Sequence, residues 1–228
     1  MWGKLKKSIF DLLYPKFCFN CGREGSYLCL DCEATLEILS SHTRYRTQEL
    51  KDLYFALPYQ KSLIKNLIRQ FKYQPFIKEL AQPLASLIIT HFQLIEKSPT
   101  GFANFILIPV PLEKRRLKQR GFNQAEEIAK ELSKFLKITL LNNVLVKTKE
   151  TLPQVELSEK ERGENIKKAF SYQHPELVKD KKILLIDDVY TTGSTMEECA
   201  RVLKKSGAKE IIGIVVARAS PKDDRSNV

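Results

Sequence analysis

The chain of 228 residues lacks the features that mark several common classes of protein. No apolar run approaches the roughly 20 residues needed to cross a membrane. There is no secretory signal peptide, and no segment has the pattern of a helix-turn-helix. Acidic residues are also scarce, 27 against 38 basic ones, which gives a formal net charge of +11. The sequence therefore predicts a cytoplasmic protein whose partners are polyanions, either a pyrophosphate-bearing metabolite or a nucleic acid.

The segment from residue 183 to residue 195 points to a sugar-phosphate site. Its first four residues are Ile, Leu, Leu and Ile, which is typical of a strand covered on both faces in a parallel sheet. Asp187 and Asp188 follow directly and are predicted to accept hydrogen bonds from a ribose diol at the carboxyl edge of that sheet. A hydroxyl- and glycine-rich turn then leads into a helical pattern, whose first N–H groups stabilise a phosphate. The predicted phosphate ligands are Thr191, Thr192, Gly193, Ser194 and Thr195.

A plain helix cap after an ordinary turn is the alternative interpretation of this segment. A cap needs only one acid and no run of hydroxyl residues. The order of two acids followed by Thr-Thr-Gly-Ser-Thr therefore favours a ligand site.

Four of the five cysteines lie in two Cys-x-x-Cys pairs, Cys18 with Cys21 and Cys29 with Cys32. Paired knuckles of this kind place four thiolates at tetrahedral distance, which predicts a structural zinc site. Disulfides are one alternative, disfavoured by the missing signal peptide, and an iron–sulfur site is another. The fifth, Cys199, is predicted to be a small core residue.

Strand and helix patterns alternate along the rest of the chain. Strands separated by helices predict an α/β fold with a mainly parallel, doubly wound sheet. A basic amphipathic helix before Pro15 is predicted to pack on the protein itself rather than on lipid. The predicted strands are 52–60, 105–110, 138–146, 182–187 and 211–217, and the predicted helices are 62–71, 77–94, 124–136 and 196–205. Residues 33–45 are predicted to form a short helix with a polar tail.

Two further polar segments are predicted to contact a ligand. A basic loop over residues 114–124 follows a strand that carries Pro109, and its Arg side chains suit bidentate contacts to phosphate oxygens. Residues 147–165 form a long polar stretch between two strands, as expected for a loop that closes over a ligand. A solvated basic loop and a disordered surface segment are the respective alternatives. The aromatic and basic residues over 69–76 indicate nucleic-acid binding only weakly, and a packing face is the alternative there.

Residues 187–195 resemble the phosphoribosyl-pyrophosphate (PRPP) motif of type I phosphoribosyltransferases, and the chain as a whole resembles the ComF family of bacterial competence proteins. That resemblance implies a four-cysteine zinc ribbon joined to a type I phosphoribosyltransferase domain, and a link to DNA uptake in natural transformation. It predicts an N-terminal helix and zinc ribbon over 1–45, a phosphoribosyltransferase-like domain over 46–220 and a disordered tail over 221–228. The motifs that carry it are the paired knuckles, Phe71-Lys72-Tyr73, Pro109-Val110-Pro111-Leu112, Arg120-Gly121-Phe122-Asn123-Gln124, Pro153-Gln154, Arg162 with Asn165, and residues 187–195.

The resemblance also implies roles for individual residues. Asp187 and Asp188 hold the ribose 2′ and 3′ hydroxyls, and the turn after them wraps the 5′-phosphate. In a transferase, Mg²⁺ bound with PRPP bridges the diol and the pyrophosphate, which leaves the anomeric carbon through an oxocarbenium-like transition state. Glu113 and the pair Gln74-Pro75 depart from the expected pattern. The pyrophosphate ligands are predicted to be Arg115, Arg116 and Arg120, and the catalytic residues of the closing loop Lys147, Lys149 and Arg162.

The acceptor of a phosphoribosyl group is not identified by the sequence. No residue is an obvious general base for a nucleobase, and an acceptor is expected to contact residues 54–94. The second hypothesis is a single-stranded-DNA-binding accessory protein in which the PRPP pocket is a sensor or a relic. The partners implied by the resemblance are PRPP, single-stranded DNA and other competence machinery such as a DNA-translocating helicase.

Overall fold

A parallel sheet forms the centre of the computed structural model, which describes residues 15–148 and 169–219. The strands are β1 Asp52–Pro58, β2 Phe105–Pro109, β3 Leu145–Lys147, β4 Phe170–Tyr172, β5 Lys182–Ile186, β6 Val189–Tyr190 and β7 Glu210–Arg218. The main sheet has the order β1-β7-β5-β2, and β6 also pairs with β7. Every pairing in it is parallel. The carboxyl ends of β1, β2 and β5 therefore lie along one edge.

Helices cover both faces of this sheet. One apolar cluster joins α2, α3 and α5 to one face, and a second joins α6 to the other face. The predicted α/β fold with a doubly wound, mainly parallel sheet is thus confirmed. The helices are α1 Leu30–Ala34, α2 Ser62–Lys72, α3 Ala81–Leu94, α4 Lys114–Arg120, α5 Gln124–Leu136 and α6 Ser194–Lys205, with short 3₁₀ turns at Lys78–Leu80, Pro99–Phe102 and Pro175–Leu177.

The short helix predicted at the start of 33–45 lies earlier than predicted, because α1 begins at Leu30 and ends at Ala34. The segment between α1 and β1 is a loop that the Asp52 carboxylate binds. This carboxylate accepts a hydrogen bond from the backbone N–H of Tyr45 at 3.0 Å and contacts His42 Nε2 at 3.0 Å. The loop also pairs with β1, since the Leu39 N–H donates to the Ala56 carbonyl at 2.9 Å. The Asp52 side chain and β1 thus take the place of helical hydrogen bonds in this segment.

The predicted strand over 138–146 is also wrong in its extent. Leu140 makes one isolated bridge to Leu107, and only β3 is a strand, paired antiparallel with β4 outside the main sheet. Asn142 interrupts the pattern, and its side-chain amide donates to Glu126 Oε1 at 3.1 Å. The basic stretch predicted as a loop contains α4, which ends at Gly121 in the left-handed conformation, φ 82°.

A glycine in β7 brings α6 close to the sheet. A Cβ atom on Gly213 would lie 2.6 Å from Met196 Sδ and 2.7 Å from Leu53 Cδ1. Both distances are too short for non-bonded atoms, so the close packing of the Met196 and Leu53 side chains against β7 depends on glycine at this position. Met196 belongs to the first turn of α6, which therefore packs closely on the sheet.

Some of the predictions lie outside the described residues. These are the N-terminal helix over 1–14, the tail over 221–228, and most of the polar stretch over 147–165. Within residues 15–148 and 169–219, the helices are too short or too polar to span a membrane.

Candidate functional site

The two acids predicted from the sequence lie at the carboxyl end of β5, where β7 binds the backbone of both residues. The Asp187 N–H donates to the Ile214 carbonyl at 3.1 Å, and the Asp188 carbonyl accepts from the Val216 N–H at 3.0 Å. The Asp188 N–H donates to Asp187 Oδ1 at 2.9 Å. Hydrogen bonds to β7 thus fix the backbone from which both carboxylates extend.

The electrostatics of this acid pair depend on a lysine from a different part of the chain. Lys72, the last residue of α2, places Nζ 2.8 Å from Asp188 Oδ1, and Asp188 is only 4% exposed. Burial and the neighbouring Asp188 raise the pKa of Asp187 to about 7, although Lys72 acts in the opposite direction. Burial acts to lower the pKa of Lys72, but Asp188 and Asp187 outweigh it and the pKa is raised. The site therefore holds two carboxylates that share one ammonium group.

The hydroxyl-rich turn lies between the acids and α6. The Thr192 and Ser194 hydroxyl oxygens are 2.9 Å apart, and the Ser194 N–H donates to Thr192 Oγ1 at 3.4 Å. Gly193 adopts φ 81° immediately before the first residue of the 12-residue helix α6. The turn thus presents side-chain hydroxyls beside the N–H groups that begin a helix, an arrangement that suits a phosphate.

The ring of Tyr190 supports Gly193 from within the protein. A Cβ atom on Gly193 would lie 2.2 Å from the Tyr190 hydroxyl. That hydroxyl donates to Glu197 Oε1 at 3.4 Å, and the ring packs edge-on against Tyr45 at 5.9 Å between centroids. Because Tyr190 is only 5% exposed, the ring has little space in which to move.

We expect Gly193→Ala to destabilise the protein more than Gly207→Ala. Both glycines have positive φ, 81° and 93°, so both substitutions should cost about 1–2 kcal/mol of backbone strain. Only Gly193 adds a clash with a buried ring, which should cost a further ~1–3 kcal/mol. Urea unfolding of the two variants provides the measurement, and equal losses of unfolding free energy would contradict the support role of Tyr190.

One of the three arginines predicted to bind pyrophosphate approaches the acid pair. Burial lowers the pKa of Arg120 and the nearby Asp188 opposes that shift, so the guanidinium lies within electrostatic range of Asp188. Arg116 Nε lies 4.0 Å from the buried carboxylate of Glu113. Arg115 is on the same helix, α4, but is exposed. Arg120 therefore adds positive charge beside the acid pair, whereas Arg116 contacts Glu113.

Lys147 approaches the same place from β3. Burial and the nearby Arg116 lower its pKa, and Glu113 and Asp187 act in the opposite direction. Lys147 therefore lies within electrostatic range of Asp187. The other two residues predicted for the closing loop, Lys149 and Arg162, lie outside the described residues.

Sequence reasoning missed Lys72 as a site residue. The motif Phe71-Lys72-Tyr73 was assigned to a packing face or a weak nucleic-acid signal, and Phe71 is indeed completely buried. The available signal was a lysine that ends an otherwise amphipathic helix beside two aromatic residues. Only the tertiary structure shows that it reaches an acid 116 positions later.

The four N-terminal cysteines come together as predicted. Their sulfur atoms all lie within 4.8 Å of one another, and all five cysteines of the chain are free thiols. The Cys29 N–H donates to Cys18 Sγ at 3.5 Å, and the Asn20 amide donates to Cys32 Sγ at 3.3 Å. N–H groups directed at sulfur suit thiolates that bind a metal ion. The cluster could hold a metal and is consistent with a zinc ribbon.

Two surface cavities, of about 400 and 440 Å³, lie away from the acid pair. Tyr54 lines the first and Phe105 the second, both near the amino ends of parallel strands. Ligands of open parallel sheets bind at the carboxyl ends instead. We therefore place the functional site at the acid pair.

Comparison with known proteins gives consistent matches. A family model described as "Phosphoribosyl transferase domain" matches residues 117–227. Competence protein F of Haemophilus influenzae is 31% identical over 204 residues, which cover 89% of this chain and 85% of that protein. DNA utilization protein YhgH of Escherichia coli is 34% identical over 195 residues, 85% of this chain and 80% of that protein. Competence protein ComFC of Bacillus subtilis is 28% identical over 208 residues, 90% of this chain and 76% of that protein.

Proposed function

This chain belongs to the family of competence protein F, and we propose on that basis that it binds PRPP together with Mg²⁺ at the acid pair. Its fold is that of type I phosphoribosyltransferases, as the sequence predicted. The observation that supports the proposal best is the position of two carboxylates at the end of β5, directly before a hydroxyl-rich turn that begins α6. Lys72, Arg120 and Lys147 add the positive charge that a polyphosphate needs.

In the proposed complex, each part of the site binds one part of PRPP. Asp187 and Asp188 accept hydrogen bonds from the ribose 2′ and 3′ hydroxyls, and the turn binds the 5′-phosphate through N–H and O–H groups. Lys147, Arg116 and Arg120 lie on the pyrophosphate side. Bound Mg²⁺ would neutralise charge on the pyrophosphate. The remaining proposed ligands, taken over from the sequence predictions, are Thr191, Thr192, Gly193, Ser194, Thr195 and Arg115 for binding, and Lys149 and Arg162 for the closing loop.

The proposed reaction is transfer of the phosphoribosyl group to an acceptor. The bond from the anomeric carbon to the pyrophosphate oxygen breaks, the acceptor forms a new bond to that carbon, and pyrophosphate leaves with the bonding electrons. The cationic side chains around the acid pair stabilise the negative charge that develops on the leaving group. The names of the relatives, competence protein and DNA utilization protein, support a role in DNA uptake. A cytoplasmic location belongs to the proposal as well.

We also propose that the four-cysteine cluster binds a structural Zn²⁺. All four ligand positions of a tetrahedral site are supplied by cysteines, which leaves none for a substrate. The ion would hold together a segment that contains only one short helix of five residues among its described parts.

Calorimetric titration with PRPP, with and without Mg²⁺, tests the proposed function. We expect PRPP to bind in the presence of Mg²⁺, and we expect the affinity to increase between pH 6 and pH 8. The increase in affinity follows from Asp187, whose pKa is about 7 in the ligand-free protein. As the pH rises, Asp187 ionises, and its carboxylate can accept a hydrogen bond from a ribose hydroxyl. Release of pyrophosphate on addition of candidate acceptors would establish turnover. Absence of PRPP binding at pH 8 with Mg²⁺ would refute the proposal.

A single-stranded-DNA-binding accessory protein with a PRPP-sensing pocket is the second candidate. The net charge of +11 and the relatives named for DNA utilization favour it. DNA binding should weaken steeply with salt, in proportion to the phosphates contacted. Repeating the PRPP titration with a short single strand already bound separates the candidates: a sensor changes its PRPP affinity without releasing pyrophosphate.

A further inference from the structure

Helix α2 connects the four-cysteine ribbon to the acid pair, and we propose that it couples metal binding at the ribbon to PRPP binding. In this proposal Lys72 is a positioning residue that orients the Asp188 carboxylate. The ribbon holds α2 in place, so loss of the metal moves Lys72 and weakens the site. The inference rests on the proposed PRPP site. It adds Lys72 as a positioning residue and adds regulation of PRPP binding by the metal.

At one end of α2, Lys72 contacts one oxygen of Asp188, and the Asp188 N–H contacts one oxygen of Asp187. The ammonium group lies 2.8 Å from Asp188 Oδ1, while Asp187 Oδ1 accepts from the Asp188 N–H. Each Oδ2 atom can then accept a ribose hydroxyl. The neighbouring Phe71 fixes the last turn of the helix, because it is completely buried with its ring 5.4 Å from that of Phe122. Lys72 is therefore held in place by packing as well as by charge.

The other end of α2 lies against the ribbon. The Asn66 amide donates to the carbonyl of Phe19, the residue after the first ribbon cysteine, at 3.5 Å. The Phe19 N–H donates to the Tyr27 carbonyl at 3.1 Å, and the two rings stack at 5.6 Å. Lys61, immediately before α2, forms an ion pair with Glu37 at 2.6 Å. Buried residues of the ribbon segment and of α2 belong to one apolar cluster, among them Cys18, Cys32, Leu36, Leu63 and Leu67.

A physical route for the coupling follows from these contacts. Metal binding and folding are linked in small cysteine sites, so removal of the ion should disorder the knuckle that carries the Phe19 carbonyl. The helix would then lose a hydrogen bond and part of its apolar partner surface. An 11-residue helix spans roughly 16 Å and moves as one body, so a shift at Asn66 is transmitted to Lys72. The family model starts at residue 117, so α2 lies outside the matched domain.

The test combines zinc removal with loss of the Lys72 charge. PRPP titrations in Mg²⁺ buffer would compare wild-type protein, Lys72→Met and the control Arg69→Met, each with zinc and after chelation followed by dialysis. Arg69→Met removes one positive charge from the same helix at an exposed position. We expect zinc removal to weaken wild-type binding about fivefold or more and Lys72→Met to weaken it about tenfold, within the usual range of coupling between sites. Arg69→Met should stay within about twofold, and Lys72→Arg should restore part of the affinity.

The decisive comparison is zinc removal in the Lys72→Met variant. If α2 acts through Lys72, chelation should change the affinity of that variant by less than about twofold. Equal effects of chelation on wild type and Lys72→Met would overturn the coupling. Equal affinities of Lys72→Met and Arg69→Met would overturn the role of Lys72. The pH profile adds a readout specific to charge, since loss of the ammonium should move the onset of PRPP binding to higher pH.

Failure of the proposed function would give a different pattern of results. If the wild-type protein does not bind PRPP, the site assignment fails, but the coupling is still measurable in the ligand-free protein. The carboxyl ¹³C resonances of Asp187 and Asp188 should then move on zinc removal in the wild type and stay unchanged in Lys72→Met. Resonances that do not move in the wild type would overturn the coupling independently of PRPP.

Discussion

We expect the double variant Asp187→Asn with Asp188→Asn to lose PRPP binding by at least about 100-fold while it keeps its fold. Each carboxylate is proposed to accept a hydrogen bond from a ribose hydroxyl, and hydrogen bonds to charged groups contribute about 1.5–3 kcal/mol each. Two such losses sum to at least ~3 kcal/mol, and every 1.4 kcal/mol is about tenfold in affinity. An asparagine amide has the same shape but only one accepting oxygen.

The fold should survive because burial already disfavours the ionised form of Asp187. Its pKa of about 7 is raised above the value of an unfolded chain, so its proton stabilises the folded protein at low pH. That stabilisation is lost as the pH rises through about 7, and a neutral asparagine removes this pH dependence. Lys72 loses its partner, but its side chain is 30% exposed and can be solvated. At pH 8 the unfolding temperature of the variant should match or exceed that of the wild type.

Calorimetry at pH 8 with Mg²⁺ measures the affinity, and differential scanning calorimetry measures the stability. A matched control removes two negative charges elsewhere, at the exposed Glu79 and Glu176, by substitution with glutamine. The control should bind PRPP within about twofold of wild type, since surface charges far from a site act weakly through solvent. Unchanged affinity in the aspartate variant would refute the ribose assignment.

The parts of the site that could be predicted from the sequence are those contiguous in the chain. An apolar run, two acids and a hydroxyl-rich turn before a helix determine both the strand end and the turn through local physics alone. The cysteine knuckles are equally local, since the spacing within each pair sets the geometry. Lys72 could not be predicted in the same way, because its contact with Asp188 depends on how α2 packs over the sheet.

The errors in the fold have the same origin. The short helix predicted within 33–45 lies earlier, at Leu30–Ala34, and the segment after it is a loop whose Tyr45 N–H donates to the Asp52 carboxylate. Residues 138–146 do not extend the sheet because only Leu140 pairs with β2 before the chain turns at Asn142 and β3 pairs with β4. In both cases a tertiary partner replaced the hydrogen bonds that the local pattern favoured.

We expect removal of the proposed Zn²⁺ to unfold the ribbon while the sheet stays intact. The knuckles are held by few backbone hydrogen bonds, among them Cys18 N–H to the Arg23 carbonyl at 2.9 Å and Gly25 N–H to the Lys16 carbonyl at 2.8 Å. The free energy of metal binding in such small sites is largely folding free energy, about 10–16 kcal/mol in isolated zinc-finger peptides. Without the ion, the four sulfur atoms, which lie within 4.8 Å of one another, lose the ligand that joins them. The apolar cluster on the α6 face of the sheet contains no ribbon residue, so that face should keep its packing.

Hydrogen exchange followed by mass spectrometry, before and after chelation, measures this effect segment by segment. Amides over residues 15–34 should exchange at least about 100-fold faster after chelation, a loss of ~2.7 kcal/mol in local stability, while amides of β5 and β7 change by less than about twofold. Cys32→Ser should reproduce the effect and lose the metal. Cys199→Ala is the matched control, because Cys199 is a buried residue of α6 outside the cysteine cluster, and its substitution should leave the zinc content at one ion per chain. Uniform acceleration across ribbon and sheet, or an unprotected ribbon with metal still bound, would contradict a separately stabilised zinc ribbon.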